Sequence, residues 1–551
     1  MNPSRLLQHF AQISEGPDAV PRLRRFILDL AVRGKLVEQD ATDEPASTFL
    51  RGRELFVEPH VEPWRLPVGW AWSCYANVGD AIGGGTPTKT TSEFWDGSIP
   101  WVSPKDMKVE FIADAKDHIS ELALEHSAAR LIPEGSLLMV VRGMILSHSF
   151  PVAISKVPVA INQDMKAIVP FRTDISGALL LISKGMKPNV LQLVSHSTHG
   201  TCKLLTDDLF SLPLPIPPLA EQHRIVARAD ELMALCDQLE AAQSERERRR
   251  DRLVAASLDR LNRPADAQSF RESARFHLDH LSRLARRPDQ LAALRQTILD
   301  LAIQGKLVAQ DARDGLVGDE LALSDRAREA TAREDRRADN GRQTLLAADE
   351  RWDIPSTWEW RALADLALFI DYRGQTPAKT EGGVRLITAK NVKRGFINQQ
   401  PEEFLAETTY PKWMTRGIPI VGDVLFTTEA PMGNAAVVRL TDRFALAQRV
   451  ICFRLYGAVD PDFLVLQLVA EAFRAILERT ATGLTAKGIK AAKLKRLPIA
   501  VPPFAEQLRI VAKAKELMAV CDQLEMQLTA AQAEGGRLLD AVIHEALEVT
   551  A

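Results

Sequence analysis

Cysteine and tyrosine are scarce in this 551-residue chain, with five of the first and four of the second. Cys74, Cys202, Cys236, Cys452 and Cys521 are odd in number and widely scattered. That pattern argues against a disulfide framework and fits a reducing compartment. No apolar run approaches the ~18–20 residues needed to cross a bilayer. The polar N-terminal stretch carries no signal-peptide core. A cytoplasmic protein that does not engage membranes is therefore expected. Charge of one sign is missing too: the chain total is −3. Residues 352–503 hold 20 Lys/Arg against 15 Asp/Glu, and residues 64–218 hold 13 against 14. A nucleic-acid partner would have to be met by local faces, because counterion release depends on local phosphate contacts.

Catalytic motifs are also lacking. Gly83-Gly84-Gly85-Thr86-Pro87-Thr88-Lys89-Thr90 has the outline of a phosphate-binding loop. Thr88 stands where glycine must precede the lysine, however, and Pro87 removes a backbone donor. Ala378-Lys379-Thr380 fails in the same way. Neither Pro217-Pro218 nor Pro502-Pro503 follows an asparagine, so no methyltransferase Asn-Pro-Pro motif is present. His196 and His199 near Cys202 have no counterparts later in the chain and read as loop residues, and no zinc spacing occurs. No metal site and no catalytic residue is expected.

What the chain does have is duplication. Leu214-Pro215-Ile216-Pro217-Pro218-Leu219-Ala220-Glu221-Gln222 returns around Pro502-Pro503-Phe504-Ala505-Glu506-Gln507, and the helical runs that follow match in a register of 285. Ile27 to Val37 recurs at Ile298 to Val308 in a register of 271. Trp64, Pro67, Trp70 and Trp72 match Trp352, Pro355, Trp358 and Trp360 in a register of 288. A repeat on this scale means two similar modules on a repeated scaffold. The length suggests about three to four domains.

The boundaries read as an N-terminal helical segment (1–63), a first module (64–218), a central helical region and linker (219–351), a second module (352–503) and a C-terminal helical region (504–551). Leu7, Phe10 and Ile13, then Leu23, Phe26, Ile27 and Leu30, recur at helical spacing in the first segment. The charged stretch 319–350 reads as a solvated helix or linker. Within the modules, short β-branched runs alternate with Gly/Pro/Asn turns, as in a mixed α/β domain of short strands. Ile225, Leu232, Leu239 and Leu253 share a heptad register, as do Ile510, Leu517, Leu524 and Leu538. Such seams predict two helices that pack on each other as a coiled coil. About 40 residues at ~1.5 Å each give a rod of roughly 60 Å. Arg246 interrupts the first seam, and Gly535-Gly536 weakens the second helix.

The polar residues left in the modules suit contact with DNA. Arg and Lys pair with guanine edges, Asn and Gln with adenine edges. Candidates in the first module are Thr86, Lys89, Lys105, Arg142, Asn162 and Gln163; those in the second are Thr376, Lys379, Lys390, Asn391, Gln448 and Arg449. For each, a structural hydrogen bond or a plain exposed position is the competing reading.

Taken together, several motifs carry a resemblance. They are Gly85-Thr86-Pro87, Phe94-Trp95-Asp96-Gly97, Ile99-Pro100-Trp101-Val102, Ile132-Pro133-Glu134-Gly135, Asn162-Gln163, and the Leu-Pro-x-Pro-Pro-x-x-Glu-Gln block at 214–222 before the helix. With them the chain resembles a type I restriction–modification specificity subunit over nearly its whole length. The second module departs from the pattern, with Ala447-Gln448 where Asn162-Gln163 would stand and no match for Phe94-Trp95 or Trp101. The resemblance implies an α+β protein with two α/β target-recognition domains. Two long antiparallel, coiled-coil-like helical regions would separate them in a pseudo-twofold repeat. It also implies a non-catalytic reader of double-stranded, bipartite, asymmetric DNA. Partners would be two methyltransferase subunits and the motor–nuclease subunits, with S-adenosylmethionine, ATP and Mg on those partners and no cofactor on this chain. Competing readings are a module of a methylation-only or fused-nuclease system, or a protein–protein scaffold.

Overall fold

A computed structural model describes residues 18–50, 63–196, 201–264, 266–335, 341–346, 351–372, 377–483 and 487–548. Leu7, Phe10, Ile13, His199 and Thr376 lie outside them. The chain forms two compact units, residues 1–246 with 531–551, and residues 247–530.

In the first unit, helix α1 (Ala19–Val32) buries Val20, Ile27 and Ala31 at helical spacing. Gly34 closes the helix at φ 66°, a conformation that favours glycine. A Cβ at Gly34 would also lie 2.4 Å from Pro67 Cγ. The module that follows has four sheet pieces. Strand β1 (Ala71–Ser73) will pair with the module's last strand. Strands β2 (Gly79–Gly83), β3 (Ile99–Val102), β4 (Phe111–Ile112), β5 (Asp117–Ile119), β6 (Leu137–Val140), β7 (Val152–Ser155), β8 (Ala160–Ile161) and β9 (Met165–Pro170) follow. They form a five-stranded sheet in the order β2-β9-β6-β7-β4 and a three-stranded sheet in the order β5-β3-β8. The four residues of β6 are all buried, as an apolar run in a central strand should be. Helix α2 (Ser176–Gly185) covers the larger sheet through Leu179, Leu180 and Ile182, which share a core with Leu137, Met139 and Ile154. A ribbon of β10 (Ser195–His196) and β11 (Cys202–Lys203) precedes β12 (Leu214–Ile216). Strand β12 pairs antiparallel with β1, so the start and end of the module are stitched together.

Helix α3 (Leu219–Asn262) then leaves the module. In the second unit, α4 (Pro288–Ile303) repeats α1, and Gly305 (φ 69°) repeats Gly34, with a Cβ that would sit 2.4 Å from Pro355 Cγ. Strand β13 (Glu359–Ala362) opens the second module. Next come β14 (Ala367–Asp371), β15 (Val384–Ile387), β16 (Phe404–Leu405), β17 (Val424–Thr427), β18 (Ala435–Val437), β19 (Phe444–Leu446), β20 (Val450–Leu455) and β21 (Pro498–Val501). The sheet orders are β14-β20-β17-β18, β16-β15-β19 and β13-β21. They match three sheets of the first module, with one strand fewer in the larger sheet, and no second ribbon like β10–β11 occurs among the described residues. Helix α5 (Phe504–Glu548) ends the described chain.

The duplicated blocks meet in a buried polar joint at the start of each long helix. Trp70 Nε1 donates to Glu221 Oε2 at 2.9 Å, and Gln39 Nε2 donates to Glu221 Oε1 at 2.6 Å. Trp358 and Gln310 bond Glu506 in the same way, at 3.0 and 2.6 Å. Gln222 and Gln507 each donate 2.9 Å bonds to Pro217 O and Pro502 O. Arg224 pairs with Asp43, and Arg509 with Asp314. Burial pushes the Glu221 and Glu506 carboxyls above the usual glutamate range, against the pull of the Trp and Gln hydrogen bonds.

The helix seams are buried differently from the heptad expectation. Ile225, Leu232 and Leu239 pack with Val20, Ile27 and Ala31 of α1. Arg24 of α1 clamps the same helix, reaching Asp237 at 2.6 Å and Glu240 at 2.7 Å. Ile510 joins the core of the second module, and Leu517 and Leu524 pack with Leu291, Leu294 and Ile298 of α4. The two long helices do share a core in the second unit, but through Val254, Leu258 and Leu261; Leu253 is exposed. A short preceding helix thus covers much of each seam, and the α3 stripe shifts by one residue. Near its end α5 buries Leu539 against Ala19 and Leu23, leaving Leu538 half-buried. The helix runs unbroken through Gly535-Gly536, where Arg22 Nη1 donates to Gly536 O. Residues Gly318–Glu334 form a helix that is not solvated all round. It buries Leu321, Ser324 and Arg328, and Glu320 accepts from Phe504 N at 2.9 Å, capping α5.

Candidate nucleic-acid interface

In each module the small sheet contains one parallel pair, β3 with β8 and β15 with β19. Ladder bonds continue past the strand ends: Asn162 N donates to Val102 O at 3.0 Å, and Ala447 N to Ile387 O at 2.9 Å. The loops that leave these ends carry most of the candidate residues.

The loop after the central strand is built alike twice. Asp106 Oδ2 accepts from Ser103 N at 2.9 Å and Ser103 Oγ at 2.8 Å. Asn391 Oδ1 accepts from Thr388 N and Thr388 Oγ1 at the same two distances. Each closed turn presents one exposed lysine, Lys105 or Lys390. Asn391 is spent on this work: it is 1% exposed, and its Nδ2 donates to Asn398 O and Pro401 O, both at 3.0 Å. Asn162 is likewise buried, and its Oδ1 accepts from Asp164 N at 3.0 Å to close the turn after β8. Both asparagine candidates close their own turns, because a short amide next to a strand end fits the backbone groups there.

Gln163, beside Asn162, is exposed and hydrogen-bonds Thr86 through its Oε1. The glycines before Thr86 make that contact possible. A Cβ on Gly84 would lie 1.9 Å from Asn162 O, and one on Gly85 would lie 2.2 Å from Ala128 O. Trp101 Nε1 holds the Gly85 carbonyl at 3.0 Å. The glycine run serves backbone packing. Lys89 sits exposed on the next turn, outside this hydrogen-bonded group.

Arg142 follows β6, and Arg142 Nη1 stands 4.0 Å from Asp164 Oδ1. Gln448 is half-buried at the end of β19. Arg449 follows at φ 78° and faces Glu429 at 3.4 Å. Lys379 is engaged with Glu403 at 2.9 Å, so it is not a free cation. The structure therefore brings together Thr86, Gln163, Arg142 and the turn of Lys105 in one module, and Lys390, Gln448 and Arg449 in the other. The roles of Asp106, Asp164, Glu403 and Glu429 were missed by sequence reasoning. An acid three residues after Ser103 was the one available signal.

His196 Nδ1 lies 3.4 Å from Cys202 Sγ across the β10–β11 ribbon. Among the described residues no group of three His, Cys, Asp or Glu side chains could hold a metal ion, and no helix is long and apolar enough to cross a membrane.

Two modules of one topology, offering polar side chains from matching loops, define a duplicated recognition protein. The type I restriction modification DNA specificity domain matches residues 67–247 and again residues 355–531, more than half of the chain, and the protein belongs to that family. The chain is 26% identical to the EcoAI specificity subunit of a type I restriction enzyme from Escherichia coli, over 96% of this chain and 94% of that protein. The EcoR124I/EcoR124II specificity subunit from the same organism is 36% identical over 169 residues, 30% of this chain and 42% of that one. Among solved structures, the HsdS subunit from Thermoanaerobacter tengcongensis aligns at a TM-score of 0.41 and 17% identity, covering 88% of this chain and 98% of that one. Specificity subunits are non-catalytic, and catalysis in these systems lies on other subunits.

Proposed function

We propose that this chain reads a bipartite, asymmetric sequence in double-stranded DNA, one half with each module, for a type I restriction–modification assembly. The observation that carries the reading is a contrast: the strand ends and the lysine-bearing turn repeat in both modules, and the side chains around them do not. A shared geometry suits a shared duplex, and unlike side chains suit unlike half-sites.

The duplicated scaffold around Glu221 and Glu506 offers two equivalent seats, which suits two methyltransferase subunits. Motor–nuclease subunits would complete the assembly, and S-adenosylmethionine, ATP and Mg would belong to these partners, with no cofactor on this chain. The complex would act in the cytoplasm. Sequencing the methylation of DNA from a host that expresses the chain with its modification subunits tests the reading. The expected pattern is adenine methylation in one split motif. Methylation in an unsplit motif, or none with the assembled complex, counts against it, and salt-insensitive DNA binding would favour a protein scaffold instead.

A further inference from the structure

The strands on either side of the candidate interface carry an ion pair whose polarity is reversed between the modules. In the first, Val141 N donates to Asp164 O at 2.9 Å and Leu204 N donates to Val141 O at 2.9 Å. In the second, Thr428 N donates to Arg449 O at 2.9 Å and Ile489 N donates to Thr428 O at 3.1 Å. The bonds place Val141 with Thr428, and therefore Arg142 with Glu429 and Asp164 with Arg449. Bridges from the next residues agree, Arg142 to Lys203 and Glu429 to Gly488. An arginine–carboxylate pair thus occupies the same two ladder positions twice, with the arginine on opposite strands.

We infer that Arg142 and Arg449 are specificity-determining residues of their modules, each reading a guanine edge, and that Asp164 and Glu429 are the positioning residues that aim them. The inference rests on the DNA-reading role proposed above. Arg142 and Arg449 are 49% and 45% exposed, and their carboxylates 31% and 37%, so each pair is open to a ligand. A planar guanidinium matches the two acceptors of guanine in the major groove. A neighbouring carboxylate restricts its rotamers before binding, which lowers the ordering cost. A pair this exposed contributes little to stability, so stability is a weak reason to keep it twice. Arg449 in addition holds φ 78°, a conformation that costs a non-glycine residue energy and concentrates at functional positions. Reversing the pair carries the guanidinium from the segment just past β6 to the turn before β20. The two modules then meet different bases while keeping one charge balance.

The test uses the full chain assembled with its modification subunits, with the methylated motif as readout. In Arg142→Ala one base pair of one half-site becomes degenerate, discrimination there falling about ten- to a hundred-fold, and the other half-site is unchanged. Arg449→Ala does the same to the other half. Asp164→Asn and Glu429→Gln relax the same base pairs by a smaller factor. Should an alanine variant fail to assemble, Arg142→Lys and Arg449→Lys keep the charge and lose the planar fork, and they too relax that base pair. A motif unchanged at every position in the arginine variants, whatever their overall rate, overturns the inference. Absence of any bipartite motif in the wild-type complex instead overturns the underlying function.

Discussion

Trp70 and Glu221, 151 residues apart, are joined by a buried 2.9 Å hydrogen bond that fixes the first module to the start of α3. The same bond joins Trp358 to Glu506. Each links two duplicated blocks that belong to different registers, so the joint explains why both blocks are retained in each half. Trp70→Phe leaves a buried carboxylate oxygen without its donor, at a cost of about 1–3 kcal/mol. Chemical denaturation should show that loss, and an unchanged midpoint would show that the bond contributes nothing.

The same carboxyls give a pH dependence. Their folded pKa lies above the ordinary glutamate value of 4.5 because they are buried. The folded state therefore holds protons more tightly than the unfolded chain. Their contribution to stability is fully present below the unfolded value and is lost as pH rises through the folded one. Melting temperatures of the wild type and the Glu221→Gln/Glu506→Gln double variant, taken upward from pH 4.5, should show the wild type losing ground. A constant difference would contradict the burial argument.

Gly34 and Gly315 separate conformational strain from steric clash. Both have positive φ, 66° and 73°, but a Cβ at Gly34 meets Pro67 at 2.4 Å and one at Gly315 meets nothing within 4 Å. Gly315→Ala incurs only backbone strain, about 1–3 kcal/mol. Gly34→Ala adds the clash and should melt lower than Gly315→Ala in parallel thermal scans.

Lys105 and Lys390 stand on equivalent turns in modules that differ around them. A feature common to both modules cannot encode two different half-sites, so under the proposed function these lysines would contact phosphate. Lys105→Ala should weaken binding of the complex to cognate and unrelated duplexes alike, and reduce the salt slope by about one. A loss confined to the cognate duplex would assign the lysine to a base instead.

Much of the fold is legible in the sequence because repetition carries it. Trp70, Glu221 and Gly34 recur while their surroundings diverge, which marks residues with fixed partners. The site is less legible. Asn162 and Asn391 have the side chain of a base reader, and nothing local reveals that each closes its own turn. The heptad seam misleads because Leu253 keeps the spacing while the buried stripe moves to Val254, and because α1 and α4 compete for the same face. The reversed pair of Arg142 and Asp164 against Glu429 and Arg449 is hidden because loop lengths differ between the modules. Only the ladder bonds align them.

The central claim is that each module reads its own half of the target. Replacing residues 352–503 with a recognition domain from another member of the family, and sequencing the methylation directed by the assembled complex, tests it most directly. One half of the motif should change and the other should persist, with the Arg142-dependent base pair in the half that persists. A change in both halves would contradict the account.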